Sequence, residues 1–258
     1  MHGAGNIGTP LRVLINNAMK TILIIIAVII VLAVIVEIGV ILFYIHKSSG
    51  LIKESKSFSR NTVENGSVCS EHILILGDSL GVGVGAAIPE ESIAGRVAAD
   101  HKNTCIKNIS VSGAKIANIK DQLEAIGADE KFDAILLFGG GNDIVQLSKL
   151  PDVLLQLQSL LLSLRKHSHK IIFTACGNVG LAPAFIFPLD VFYTGRAKEF
   201  LGQFKVISDM EGIYFVDLYH EKKEDPFEAD PKKFYERDGF HPSSAGYEIW
   251  YEKIKRGF

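Results

Sequence analysis

Residues 21–45 read TILIIIAVIIVLAVIVEIGVILFYI, a run with one charge, Glu37. Such a run leaves a chain few choices. As a helix rising 1.5 Å per residue it would be about 37 Å long, enough to cross a ~30 Å hydrocarbon core with some tilt. It has no polar face, so it does not read as the core helix of a soluble domain. A secretory signal has an apolar region of only about 7–15 residues and a small-residue cleavage site. Phe43-Tyr44-Ile45-His46-Lys47 offers no such site. We therefore expect an uncleaved membrane anchor over 21–45, with Glu37 costing a few kcal/mol wherever it faces lipid. Residues 1–20 form an N-terminal segment. Met19-Lys20, directly before the run, suits a translation start and would make residues 1–18 an over-long reading of the gene.

Beyond the anchor the chain changes in kind. Residues 46–70 are polar and lack periodicity, and are expected to link the anchor to a single domain over 71–258. The 258-residue chain carries a formal net charge of −2, with 22% charged residues. No basic excess and no Lys/Arg tract interleaved with aromatics calls for a nucleic-acid partner. Neither cysteine–histidine spacing nor an H-E-x-x-H pattern suggests zinc, and no cofactor is expected.

Within 71–258, short apolar runs alternate with longer amphipathic ones. Strands are expected over 72–77, 104–109, 133–139, 170–176 and 213–218. Helices are expected over 91–101, 116–126, 151–167, 189–210 and 243–255. The helix over 151–167 rests on Leu154, Leu157, Leu161 and Leu164 at helical spacing. Near-continuous apolar strands alternating with helices mean an α/β fold with a parallel sheet covered on both faces. Functional sites in such sheets gather at the carboxyl ends of the strands.

Three motifs stand at those ends. Gly77-Asp78-Ser79-Leu80 follows the first strand. A serine there can be a nucleophile if a base is supplied, but the same glycines also suit a plain turn. A nucleotide loop fits poorly, because neither G-x-G-x-x-G nor G-x-x-x-x-G-K-[ST] is matched. Gly139-Gly140-Gly141-Asn142-Asp143 follows the third strand, where an amide N–H could serve as an oxyanion donor or Gly-Asn-Asp could simply turn the chain. Asp238-Gly239-Phe240-His241-Pro242 puts a carboxylate and an imidazole on one short turn, where the first can orient the second. His220, just after the fifth strand, is expected to stay out of the chemistry.

Taken together and in this order, the three motifs resemble the SGNH (GDSL) hydrolases. Gly77-Asp78-Ser79-Leu80 matches the first block of that family, and Gly140-Gly141-Asn142-Asp143 the third. Asp238-Gly239-Phe240-His241-Pro242 matches the last. Gly113, in Asn108-Ile109-Ser110-Val111-Ser112-Gly113, stands where the glycine of the second block belongs. The resemblance spans about residues 73–254. It implies a three-layer flavodoxin-like fold with a five-stranded parallel sheet of order 2-1-3-4-5. It also implies a serine esterase with Ser79 as nucleophile, His241 as base and Asp238 orienting it. The oxyanion hole would comprise the Ser79 and Gly113 backbone N–H groups and the Asn142 side chain. Asp78 and Asp143 would brace their turns. The same triad serves an O-acyltransferase on an envelope glycan, and a membrane-tethered binding module could keep the fold without turnover. The expected substrate is a small-molecule, glycan or lipid ester.

Cys69 and Cys105 fall at the same, non-catalytic end of neighbouring strands, where they can form a disulfide or remain two buried thiols; Cys176 reads as a buried strand residue. A disulfide would favour a domain outside the cytoplasm. The flanking charges argue the opposite, with Arg12 and Lys20 before the span and Lys47, Lys53, Lys56 and Arg60 after it. The apolar loop 177–193 is expected to pack or to line an acyl or aglycone pocket, and the charged stretch 221–237 to be a mobile rim or a solvated loop.

Overall fold

A computed structural model describes residues 8–61 and 69–258. The chain forms two compact units, residues 1–43 and 44–258. Residues 1–7 of the expected N-terminal segment and 62–68 of the expected linker lie outside the described residues.

A single helix, α1 (Gly8–Glu54), contains the apolar run. Its large apolar side chains from Val13 to Val36 are exposed, so it is apolar all round rather than amphipathic. Among the described residues it is the one helix long and apolar enough to cross a membrane.

The helix does not stop where the hydropathy falls at residue 45. It runs through Glu54 and buries Leu51. Among the described residues just beyond it, Arg60 is fastened to residues 98–106 of the chain. Arg60 exchanges backbone hydrogen bonds with Ile106, at 2.9 and 2.7 Å. Its guanidinium also donates to the carbonyls of Ala98, His101 and Thr104. The grip is made on backbone oxygens, which a sequence pattern does not display.

The second unit is built on five parallel strands: β1 (Glu71–Leu76), β2 (Thr104–Asn108), β3 (Ala134–Phe138), β4 (Ile171–Thr174) and β5 (Tyr214–Val216). Their order is β2-β1-β3-β4-β5, the flavodoxin-like order. Ile73–Leu76 of β1 and all of β3 are buried, as strands covered on both faces must be. The covering helices are α3 (Ile93–Asp100), α4 (Ile116–Gln122), α6 (Leu150–Leu164), α7 (Leu189–Met210) and α10 (Ser244–Ile254). Helices α4, α6 and α7 pack in one group, and α3 packs with α10 in the other. Helix α6 buries Val153, Leu157, Leu160, Leu161 and Leu164, close to the expected leucine stripe. Pro89 opens a short 3-10 turn instead of α3, which starts later because the Ser92 hydroxyl caps it by accepting from Gly95 N–H.

The strand order reverses between β1 and β3, where the loops after them diverge to opposite faces and leave a crevice. Residues from all three motifs gather there. At the other end of the sheet Cys69 and Cys105 form a disulfide, with Cα atoms 5.5 Å apart. It closes a 36-residue separation, which is worth about 4 kcal/mol in the chain-entropy account. Replacing both cysteines with serine is expected to lower unfolding stability by about 2–4 kcal/mol, read from denaturant midpoints of the two full chains. An unchanged midpoint would mean that the bridge contributes no stability.

Candidate active site

The turn after β1 is set by what cannot fit. Gly77 has φ +138°, and a Cβ there would lie 2.0 Å from the Phe138 carbonyl oxygen. Gln122 of α4 holds this glycine from both sides, accepting from its N–H at 2.9 Å and donating to its carbonyl at 2.7 Å. Asp78 then caps a one-turn helix, α2 (Ser79–Val82), by accepting from Leu80 N–H at 2.9 Å. Ser79 is its first residue, where backbone N–H groups have no partner inside the helix.

The turn after β3 is built the same way. Gly140, at φ +97°, leads into α5 (Gly141–Val145), and a Cβ on it would lie 2.3 Å from the Phe204 ring. Asn142 donates its side-chain amide to the Ala114 carbonyl at 3.1 Å, and Asp143 accepts from Ile116 N–H at 2.9 Å. These two bonds fasten the loop after β3 to the loop that carries Gly113. An amide nitrogen has two hydrogens, so Asn142 keeps one for another acceptor. Gly113 has φ +82°, a conformation that L side chains rarely adopt, and the space beside it is open.

The third motif closes on the first. The Asp238 carboxylate accepts from the backbone N–H groups of Phe240 and His241, each at 3.0 Å, which winds the turn tightly. Its other oxygen meets His241 Nδ1 at 2.5 Å, and His241 Nε2 stands 3.0 Å from Ser79 Oγ. With the Nδ1 proton held by Asp238, Nε2 presents its lone pair to the serine hydroxyl. Ser79, Asp238 and His241 are all buried, Asp238 completely. Burial opposes the Asp238 charge, but the His241 hydrogen bond and charge, with the two N–H groups, outweigh it and hold its pKa below the usual carboxylate range. At Asp78 the balance reverses: burial outweighs the Leu80 N–H and the nearby His241 and pushes its carboxyl up to about 6. Burial likewise raises Asp143.

Beside Ser79 opens a mostly apolar cavity of about 50 Å³, lined among others by Asn142, Cys176, Phe227, Tyr235 and Trp250. Phe227 stacks on Trp250 at 5.1 Å. This corrects the expectation for 221–237. That stretch contains two short helices, α8 (Pro226–Ala229) and α9 (Pro231–Phe234), and Tyr235 bridges to Pro242, beside His241. The aromatic residues Phe227, Phe234 and Tyr235 within so charged a stretch were the signal that it folds inward. Val179 and Ala182 bring the apolar loop 177–193 to the same cavity. Cys176 is buried just past β4, which pushes its thiol pKa well up. His220 also lines the cavity, but its Nε2 faces Lys253 Nζ at 2.8 Å rather than Ser79. Among the described residues no three His, Cys, Asp or Glu side chains are grouped to hold a metal.

A doubly wound parallel sheet bearing these motifs at its switch point defines a class of α/β hydrolytic enzymes. The chain belongs to the GDSL-like Lipase/Acylhydrolase family, whose sequence model matches residues 75–249, and it is accordingly a hydrolase of acyl esters. No match is found among curated proteins. Solved structures share the fold. A member of the lipolytic protein G-D-S-L family from Veillonella parvula is 20% identical, with TM-score 0.57, over 72% of this chain and 97% of its own. The acetylxylan esterase Axe2 from Geobacillus stearothermophilus is 19% identical, with TM-score 0.52, over 73% and 94%. The psychrotrophic esterase EstA from Pseudoalteromonas sp. is 16% identical, with TM-score 0.53, over 73% and 96%.

The raised Asp78 pKa has a consequence for stability. Above pH 6 the folded state holds a desolvated carboxylate, at a cost of up to about 3 kcal/mol for a shift from 3.8 to about 6. As pH falls from 6 to 4 the folded state takes up a proton that the unfolded state does not, and the cost fades. Asp78→Asn keeps the capping oxygen and removes the charge. Its melting temperature is expected to exceed the parent's at pH 8, by a margin that shrinks toward pH 4. A margin independent of pH would refute the assignment.

Proposed function

We propose that this hydrolase is a membrane-anchored serine esterase that works through an acyl-enzyme. The observation that carries the reading is the unbroken hydrogen-bonded line from Asp238 through His241 to Ser79 Oγ. Ser79 Oγ attacks the ester carbonyl carbon while His241 Nε2 takes its proton. The carbonyl oxygen becomes an oxyanion, received by the Ser79 and Gly113 backbone N–H groups and the remaining amide hydrogen of Asn142. The tetrahedral intermediate collapses, the C–O bond to the alcohol breaks, and His241 returns the proton to the leaving oxygen. Water then enters, gives a proton to His241 and attacks the acyl carbon; the C–O bond to Ser79 breaks, His241 returns the proton to Ser79 Oγ, and the acid leaves. Asp238 fixes the imidazole tautomer and stabilises the imidazolium formed at each attack.

The cavity beside Ser79 favours a short acyl group, because Phe227, Tyr235 and Trp250 crowd it. An acetyl ester is in keeping with that size, and Axe2 is an acetylxylan esterase of the same fold. The Cys69–Cys105 disulfide supports a catalytic domain outside the cytoplasm, where such bridges persist. In that location the enzyme would meet glycan and lipid esters of the cell envelope.

A fluorophosphonate probe is expected to label the full chain at Ser79 and to leave Ser79→Ala unlabelled. Labelling at another residue would overturn the nucleophile. With a panel of esters of graded chain length, Ser79→Ala and His241→Ala should each lose about 10³-fold or more in kcat. Asn142→Ala should lose about 10²–10³-fold with little change in KM. If an acylated sugar appeared in place of free acid when an acceptor was supplied, the enzyme would be an O-acyltransferase using the same triad.

A further inference from the structure

We infer that the apolar ridge at residues 186–192 is a bilayer-docking surface beside the mouth of the active site. The inference rests on the reading of residues 21–45 as a membrane anchor.

The loop after β4 divides its apolar residues in two. Val179, Leu181, Ala182 and Ala184 are buried, whereas Ile186, Phe187, Val191 and Phe192 point outward with exposures of 39, 78, 62 and 49%. Taking side chains of this size out of water is strongly favourable. Four left together at the surface mark a place where something other than water belongs.

The ridge is wired to the site through aromatic rings. Phe192 packs on Tyr193 at 5.2 Å, Tyr193 on Phe185 at 4.4 Å, Phe185 on Phe240 at 6.1 Å and Phe240 on His241 at 5.3 Å. Whatever covers the ridge therefore lies at the outer end of a row that finishes on the proposed catalytic base.

Chain connectivity identifies the occupant. Tyr44 is the first residue of the second unit and the last aromatic of the apolar run. Tyrosine at the end of a span belongs at the membrane–water interface. Tyr44 and Ile186 line one open groove, together with Pro183 and Gly239 of the triad turn. A bilayer crossed by residues 21–45 would have its surface at Tyr44, in the groove that Ile186 of the ridge also lines. The groove carries charges of both signs, so apolar insertion rather than attraction to anionic lipid is the driving force. Esters held at that surface would reach Ser79 without crossing bulk water.

The test uses the full chain reconstituted in phosphatidylcholine vesicles. Co-flotation with the vesicles checks the anchor first, and failure to float would remove the premise and the proposal with it. Trp250 is the only native tryptophan, so an added one can be read by difference. Brominated lipid is expected to quench the added emission of Phe187→Trp by half or more. It should leave that of Met210→Trp, exposed at the far end of α7, unquenched. Equal quenching at both positions, or none at 187, would overturn the docking surface. In a second measurement, Phe187→Asp with Val191→Asp is expected to slow hydrolysis of a vesicle-embedded ester by about tenfold and to leave a water-soluble ester unaffected. Equal effects on both esters, or on neither, would overturn it as well. Loss of soluble-ester turnover in the parent chain would count against the esterase reading instead, with the quenching still deciding the ridge.

Discussion

A fully buried carboxylate must be held by charge-favouring partners or it will neutralise. At Asp238 those partners are two backbone N–H groups of its own turn and the ring of His241, three residues on. Satisfying the carboxylate therefore winds the turn and aims the imidazole in one act. The far face of that imidazole then meets Ser79, whose position is fixed independently by Gln122 gripping Gly77. The site depends on this one buried charge. If it were lost, both the turn and the direction of the histidine would lose their cause.

The same economy appears at Asn142 and Asp143. Neighbouring side chains reach across to the loop after β2, one to Ala114 and one to Ile116. Gly113 is thereby held by residues of another loop as well as by its own turn, closed by Ala114 N–H to the Val111 carbonyl. Three loops that begin on β1, β2 and β3, strands that lie side by side, are thus cross-braced by polar side chains at one end of the sheet. The opposite end is closed covalently by Cys69 and Cys105.

Much of this was legible in the sequence, and for a physical reason. Strands buried on both faces must be apolar throughout, so β1 and β3 announce themselves, and the turns at their ends need glycines that stand out against that background. The three motifs could be placed because each falls directly after such a run or within one short turn. What escaped notice had no pattern to offer. Arg60 grips carbonyls that every residue possesses. The one-turn helices α2 and α5 exist through caps and tertiary bonds rather than propensity. The stretch 221–237 looked solvated because charges dominate its composition, although the structure follows its few aromatics: Phe227 is buried against Trp250. The Asn142 bond to Ala114 joins positions 28 residues apart and leaves no trace in either motif.

The boundary between the apolar helix and the enzyme also bears on how the molecule can be taken apart. Hydropathy suggests cutting after residue 45, and motif matching suggests cutting near residue 70. Yet residues from Tyr44 onward belong to the enzyme's own unit. Tyr44 lies against Gly239 between Asp238 and His241, Glu54 pairs with Arg237 beside that turn, and Leu51, Arg60 and Cys69 are built into the sheet's surroundings. A fragment excised at either apparent border would be missing part of the wall behind the turn that holds Asp238 and His241. The natural unit of dissection starts inside the last turn of the hydrophobic run, so the excised enzyme would still carry a short greasy stub.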